Sequence, residues 1–146
     1  MSFKFTALYG GGLNNNELNK TELDNELNNI VKLLLQFRTD IKMYHWQTKS
    51  FPYHKISDEL LSEIDDLTDK LVEASSGILK TRPNISNTNN NLIILRDVNT
   101  ELFLNENNQI SDILRNSKLM EYTEIANIRD EILGAIAKAK YLMTFE

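Results

Sequence analysis

Apolar residues recur at alternating steps of four and three along the first long segment of this chain, and this spacing constrains the fold more than any other feature. The series is Leu23, Leu27, Ile30, Leu34, Phe37, Ile41 and Tyr44. Such a pattern places the apolar side chains on one face of an α-helix that packs nearly antiparallel against another helix. It predicts a first helix over residues 17–48.

The periodicity returns directly after this segment. The next set is Ile56, Leu60, Ile64, Leu67 and Leu71. It predicts a second helix over residues 53–79, and Pro52 lies where proline favours the first turn of a helix.

Two further helices are predicted in the second half of the chain. A weaker apolar pattern predicts a helix over residues 92–116, which the polar run 105–108 interrupts. A sharper pattern predicts a helix over residues 121–143. Its small residues, Gly134 among them, would let a neighbouring helix approach closely.

The connection between the second and third helices is the clearest break. Residues 81–91 contain Pro83 and an asparagine run, and about a dozen residues are enough to cross the end of a bundle. Only two prolines and five glycines occur in 146 residues, which favours long helices. The predicted fold class is therefore an all-α four-helix bundle with a long connection, formed by residues 17–146 after an N-terminal tail, residues 1–16.

Composition excludes several classes of protein. The chain has no cysteine, so disulfides and thiolate sites are excluded. A net charge of -5 argues against a nucleic-acid surface, and nucleic-acid binding is not expected. No apolar run reaches the roughly 18 residues of a membrane span, and the N-terminus lacks the layout of a secretory signal. A cytoplasmic protein without membrane contact is predicted.

The only two histidines stand on either side of the short break between the first two helices. His45 and His54 are nine residues apart, and Asp58, Asp69 and Glu73 follow at helical spacing. Imidazole and carboxylate donors together suit iron, manganese or zinc. The pattern predicts a metal site built from these five residues.

The carboxylates form a stripe on the second helix. At about 100° per residue, His54, Asp58, Asp65, Asp69 and Glu73 lie on the side opposite the apolar seam. One interpretation is an ordinary solvated helix face. The other is a cation or a basic partner among the carboxylates, because like charges at this spacing repel one another.

These residues resemble the motif of the Dps family, the ferritin-like mini-cages that oxidise and store iron. That family has a His-Trp pair ending its first helix, a histidine opening the second, an aspartate four residues on, and a later Asp-x-x-x-Glu. The matching positions here are His45-Trp46, His54, Asp58, and Asp69 with Glu73. The resemblance covers residues 44–74, and beyond them only the order of helices. It implies that the predicted four-helix bundle is ferritin-like.

A closer likeness is to an uncharacterised ferritin-like family of large DNA viruses and phages. It rests on Tyr-His-Trp-Gln-Thr-Lys-Ser at 44–50, Asn-Ile-Arg-Asp-Glu-Ile-Leu-Gly at 127–134, and Tyr141-Leu142. A viral origin would place the protein in the host cytoplasm or in the virion.

The Dps resemblance implies an iron site shared by two subunits. The histidines of one copy would face Asp58, Asp69 and Glu73 of another across an isologous contact. It also implies a ferroxidase that uses peroxide or oxygen, and a homo-oligomer that is at least a dimer, with a dodecameric cage as the family's form. Trp46, Tyr53 and Asp65 would support the metal ligands or line the interface.

Three departures from the Dps pattern are visible. The interval between His45 and His54 is three residues shorter than in the family, so we expect a tighter loop and a displaced His45. Ala74 replaces the arginine that usually follows the glutamate. The lysine-rich tail that some members use on DNA is missing, so DNA protection is not expected.

Other functions stay open at this point. A non-catalytic helical interaction protein, such as a virion or host-interaction component, would use Trp46 and Tyr53 as interface anchors. A magnesium-dependent nuclease or hydrolase could use Asp65, Asp69 and Glu73, although no phosphate-binding loop is present. A di-iron centre inside one bundle would use Glu-x-x-His motifs. None occurs in the sequence, which leaves only an all-carboxylate version.

Overall fold

Four long α-helices dominate the computed structural model, which describes residues 15–87 and 93–145. They are α1 (Asn15–Gln47), α2 (Phe51–Leu79), α3 (Thr100–Asn116) and α4 (Thr123–Leu142). Short 3-10 turns occupy Ile85–Asn87 and Lys118–Glu121, and the described ranges contain no strand. The predicted all-α class is confirmed. Residues 1–14 of the predicted tail lie outside the described ranges, while residues 15 and 16 belong to α1.

Local signals fix both ends of α2. Ser50 is the N-cap, and its hydroxyl accepts a hydrogen bond from the backbone N–H of Tyr53 at 3.3 Å. Pro52 lies in the first turn, where its missing N–H costs nothing. The helix closes at Lys80, whose φ of 52° is left-handed, a conformation that normally favours glycine.

The first two helices run antiparallel because only residues 48–50 connect them. Residues 93–99 are extended, and we call this segment the strap. It follows α1 in the same direction, since Gln36 binds the backbone of Ile94 and Gln47 binds that of Val98. The strap thus returns the chain to the end of the molecule where α1 ends and α2 begins.

The last two helices complete the bundle. The hydroxyl of Tyr44 lies 2.8 Å from that of Thr100, so α3 starts beside the end of α1. The carboxylate of Glu26 accepts a hydrogen bond from the backbone N–H of Lys118 at 2.9 Å. The end of α3 therefore lies near the start of α1, and α4 runs back in the direction of α1. Helices α1 and α4 therefore run one way and α2 and α3 the other, joined by one long crossover.

The predicted start of the third helix at residue 92 is wrong, because α3 begins at Thr100. Asn99 is the N-cap, and its side chain accepts the N–H of Leu102 at 2.8 Å. Glutamine side chains of α1 supply hydrogen-bond partners that let the strap remain extended. Its apolar start, Ile93 to Leu95, suggested a helix from sequence but is exposed.

Two smaller predictions about helix interiors are also wrong. The run 105–108 does not interrupt α3, because Glu106 and Asn107 point into the bundle and are buried. Gly134 does not serve close helix packing, since a Cβ there would meet nothing within 4 Å.

The core follows the predicted seams. Its fully buried members include Leu27, Leu34, Phe37, Ile41, Ile64, Leu71, Phe103, Ile110, Leu114, Ile125 and Ile132. Burial of such side chains contributes about 1.5–3 kcal/mol each and holds the helix ends in place. Among the described residues no helix is long and apolar enough to cross a membrane.

Candidate functional site

Both histidines lie at the end of the bundle where α1 meets α2. His45 is in the last turn of α1 and is buried, and His54 is in the first turn of α2 and is half-buried. The turn between them is tight: the N–H of Thr48 bonds the carbonyl of Tyr44 at 2.9 Å, and Ser50 caps α2. The expected tight loop is confirmed. It brings the two imidazoles together.

The two histidine rings stack on each other. Their centroids are 3.8 Å apart and the ring planes differ by 21°. Nδ1 of His45 lies 2.8 Å from the carbonyl oxygen of His54, and Nδ1 of His54 lies 2.8 Å from the carbonyl oxygen of His45. We call this reciprocal arrangement the histidine clamp. It ties the end of α1 to the start of α2.

The clamp fixes the tautomer of both rings. A backbone carbonyl only accepts hydrogen bonds, so Nδ1 must carry the proton in each ring. Each neutral ring then keeps a lone pair on Nε2. Metal-ligating histidines are oriented in the same way, with the second ring nitrogen donating to a carbonyl or carboxylate.

Ser57 supports the clamp from within α2. Its hydroxyl is buried and lies 2.8 Å from the carbonyl of Tyr53 and 3.0 Å from that of His54. Nδ1 of His45 lies 3.4 Å from the same hydroxyl. Sequence reasoning missed this residue, although a serine at a core-facing helix position beside a histidine is a signal that could have found it.

One predicted carboxylate joins the histidines within a single chain. Oδ1 of Asp58 is 3.9 Å from Nε2 of His45, and its side chain is exposed. This carboxylate is the only predicted one that the single chain brings near a ring nitrogen of the clamp, among the described residues. In keeping with this, the described residues of one chain contain no group of three or more His, Asp or Glu side chains that could hold a metal.

The other predicted ligands are far from the histidines along the same helix. At about 1.5 Å per residue, Asp69 lies about 22 Å and Glu73 about 28 Å from His54 along α2. Both carboxylates are exposed. One chain therefore does not bring the predicted set together, and only another copy could present Asp69 and Glu73 to His54.

Asp65 has a different environment from the rest of the stripe. Its Oδ1 accepts a hydrogen bond from Nε of Arg38 at 2.5 Å, which links α2 to α1. Asp58, Asp69 and Glu73 are exposed, and within residues 15–87 and 93–145 they form no ion pair with lysine or arginine. The stripe is thus partly balanced within the chain, and its remaining charge faces outward.

Exposed aromatic rings surround the histidine end. Trp46 is 64% exposed and Phe51 is 71% exposed. Tyr141 and Phe145, also exposed, form an edge-to-face pair with centroids 5.1 Å apart at the end of α4. Tyr53 is instead part of the scaffold, because its hydroxyl donates to the carbonyl of Met143 at 2.8 Å. Large exposed aromatics concentrated at one place are typical of interaction surfaces.

A second polar cluster lies about two turns before the end of α1, and its two carboxylates are buried. Nη2 of Arg96 in the strap lies 2.6 Å from Oδ2 of Asp40 and 3.3 Å from Oε1 of Glu106. Asp40 is fully buried and Glu106 nearly so. Burial, then a hydrogen bond to Asp40 and its charge, raise the pKa of Glu106 to about 8, against the opposing effect of Arg96.

Sequence reasoning missed this buried cluster. Asp40 falls between Phe37 and Ile41 on the apolar face of α1, which was a usable signal for a buried carboxylate. Arg96 gave no such signal, because its role depends on the strap being extended rather than helical.

Comparison with known proteins assigns a family. Residues 45–143 match the model of a family of unknown function, DUF5856, and the chain belongs to this family. The matched region starts at the first clamp histidine and ends at Met143, the residue that binds Tyr53. No curated protein and no solved structure matches the chain.

Proposed function

We propose that this protein is a ferritin-like metal-binding protein whose metal site forms between two copies of the chain. The observation that carries this proposal is the histidine clamp. Backbone carbonyls hold both Nδ1 protons, so both Nε2 atoms are prepared as ligands before any metal arrives.

The carboxylates that complete the donor set would come from a second copy. Placing His54 of one copy against Asp69 and Glu73 of the other requires two antiparallel α2 helices. The two-fold axis would then pass near Ser62 and Glu63. Because two acidic stripes face each other in that arrangement, a bound cation would reduce their repulsion, and metal should promote the dimer.

The topology supports a ferritin-like class. Helices α1 and α4 run opposite to α2 and α3, and one long crossover joins the two pairs. Four-helix bundles with one long crossover include the ferritin-like folds. Here that crossover includes the turn at Ile85–Asn87 and the strap.

The donor set fits a borderline divalent metal. Imidazole nitrogen and carboxylate oxygen suit iron, zinc and manganese, whereas calcium and magnesium prefer oxygen alone. With ferrous iron as substrate, two ferrous ions would give one electron each to one hydrogen peroxide, which takes up two protons and leaves as two waters. The residues of this chain would bind and position the ions: His45 and His54 through Nε2, and Asp58, Asp69 and Glu73 through carboxylate oxygens.

Elemental analysis of untagged protein tests the proposal. Wild type should retain iron or zinc at near-stoichiometric level after desalting, and the double variant Asp69→Ala/Glu73→Ala should retain only trace metal. The matched control is Glu124→Ala/Glu131→Ala, which removes two exposed carboxylates from α4 and changes the net charge equally. Equal trace metal in all three proteins would contradict metal binding.

A second candidate function is a non-catalytic helical interaction protein. The exposed Trp46 and Phe51 favour it, because a monomeric soluble protein has little reason to expose such rings together. Light scattering with zinc and with chelator separates the two functions. A metal-dependent dimer or larger assembly supports the metal site, whereas a metal-independent state that is lost in Trp46→Ser supports the interaction protein.

A further inference from the structure

Residues 93–97 of the strap are attached to the bundle through polar groups, whereas Val98 at its end belongs to the core. The side-chain amide of Gln36 bonds both backbone groups of Ile94, at 2.7 Å to its N–H and 2.9 Å to its carbonyl. Gln47 accepts the N–H of Val98 at 2.7 Å, and Arg96 reaches Asp40. The apolar side chains Ile93 to Leu95 are exposed. Lifting residues 93–97 would therefore remove hydrogen bonds but would expose no core side chain.

The middle attachment depends on a pair of buried carboxyl groups. Arg96 supplies one positive charge, whereas Asp40 and Glu106 would carry two negative charges if both were ionised. Oε2 of Glu106 is buried without any hydrogen-bond donor in the described part of the chain. A proton on Glu106 removes the excess negative charge. It also gives the buried carboxyl group a hydrogen that it can donate to Asp40.

Asp40 connects the carboxyl pair to two attachment points of the strap, Arg96 and Ile94. Besides Arg96, it accepts a hydrogen bond from Gln36 at 3.1 Å, and Gln36 is the same side chain that holds Ile94. The charged groups facing Glu106 are Asp40 from α1 and Arg96 from the strap. Among the described residues, α4 and the turn at Lys118–Glu121 add no charged side chain to the hydrogen bonds of this cluster.

We propose that the strap is a proton-controlled latch, closed while Glu106 is protonated and released locally when Glu106 gives its proton to solvent. Release is the least costly response to a second buried negative charge. It lets water reach the two carboxylates, whereas unfolding α3 would expose Phe103, Ile110 and Leu114. Loss of this proton breaks no other covalent bond, and Arg96 stays charged throughout.

Hydrogen–deuterium exchange of peptides covering the strap tests the latch. After correction for the intrinsic exchange rate, protection at residues 93–97 should fall about tenfold between pH 6 and pH 9, because each pH unit above the pKa of about 8 shifts the equilibrium about tenfold. Peptides from the core of α3 should keep their protection. Glu106→Gln, which mimics the protonated side chain, should keep the strap protected at pH 9.

Two further variants keep the test decisive. Glu101→Gln changes an exposed glutamate of the same helix and should keep the wild-type pH response. Arg96→Gln should leave the strap poorly protected at both pH values. Equal strap protection in wild type at pH 6 and pH 9 would overturn the proposal. So would equal loss of protection in α3, or a Glu106→Gln variant that still loses protection at pH 9.

Discussion

The histidine end and the cluster of Arg96, Asp40 and Glu106 differ in how their polar groups are paired. In the histidine clamp one nitrogen of each ring is bound to backbone and the other keeps a lone pair. In the cluster, Arg96, Asp40 and Glu106 pair with one another, and the proton on Glu106 completes the balance. The first arrangement leaves a ring nitrogen of each histidine without a partner in the clamp, whereas the second pairs its charged groups within the chain. The proposed metal site rests on this difference.

The largest expected effect concerns the pH dependence of stability, which belongs to the cluster. The pKa of Glu106 in the folded protein, about 8, exceeds its ordinary value of 4.5. Its contribution to stability is therefore fully present below pH 4.5 and is lost as pH rises through 8. At 1.36 kcal/mol per pKa unit, we expect wild type to lose on the order of 3–5 kcal/mol over that interval. Urea denaturation across pH measures it.

Glu106→Gln provides the control for this prediction. Its denaturation midpoint should vary much less between pH 5 and pH 8.5 than that of wild type. A variant with the wild-type slope would show that another group causes the pH dependence.

Removing Asp40 should be nearly as costly. Asp40→Ala removes the buried partner of Arg96, whose own side chain is half-buried, and breaking a buried ion pair costs about 3–5 kcal/mol. We expect the lower end of this range, because Glu106 can ionise and replace Asp40. The matched variant Asp65→Ala removes an exposed carboxylate from its pair with Arg38 and should cost less than about 1 kcal/mol. Equal losses in the two variants would contradict the assigned difference in burial.

A substitution in the histidine clamp should lower the unfolding free energy less than the changes above. It should also weaken metal binding, which those changes leave unaltered. His54→Ala removes one Nδ1 hydrogen bond and the ring stack, which we expect to cost about 1–2 kcal/mol of unfolding free energy. The same variant should bind zinc at least tenfold more weakly in calorimetry. A loss of stability with unchanged zinc affinity would assign the clamp a purely structural role.

The smallest effects are expected in the helices, away from both regions. Gly134→Ala fills open space on α4 and should stabilise the protein by about 0.5–1 kcal/mol, since glycine disfavours a helix interior. Lys80→Gly should also stabilise it, because the left-handed backbone at Lys80 suits glycine. Neither change should alter zinc binding or the pH dependence. Thermal unfolding checks both variants.

The sequence predicted the helices better than it predicted the two polar regions. The boundaries of the first, second and fourth helices were predicted to within two residues, because apolar periodicity and the signals at Ser50 and Pro52 are local. The stacking of His45 and His54 was not predicted, although their approach followed from the short interval between them. The strap and the Arg96 cluster could not be predicted, because they depend on contacts between residues more than fifty positions apart.

The site residues show the same limit. The exposure of Asp58, Asp69 and Glu73 opposite the apolar seam agrees with the helical spacing. The pairing of Asp65 with Arg38 depends on how α1 and α2 pack, which periodicity alone does not give. Whether Asp69 and Glu73 meet the histidines is a property of two chains, so it stays a prediction.

The most direct test of the central claim is an anomalous diffraction map at the zinc absorption edge, from crystals grown with zinc. We expect a peak about 2.0–2.1 Å from Nε2 of His54 or His45, and within coordination distance of Asp69 or Glu73 of a neighbouring copy. A fully ordered histidine end without such a peak, with Asp69 and Glu73 of every copy in solvent, would contradict the claim.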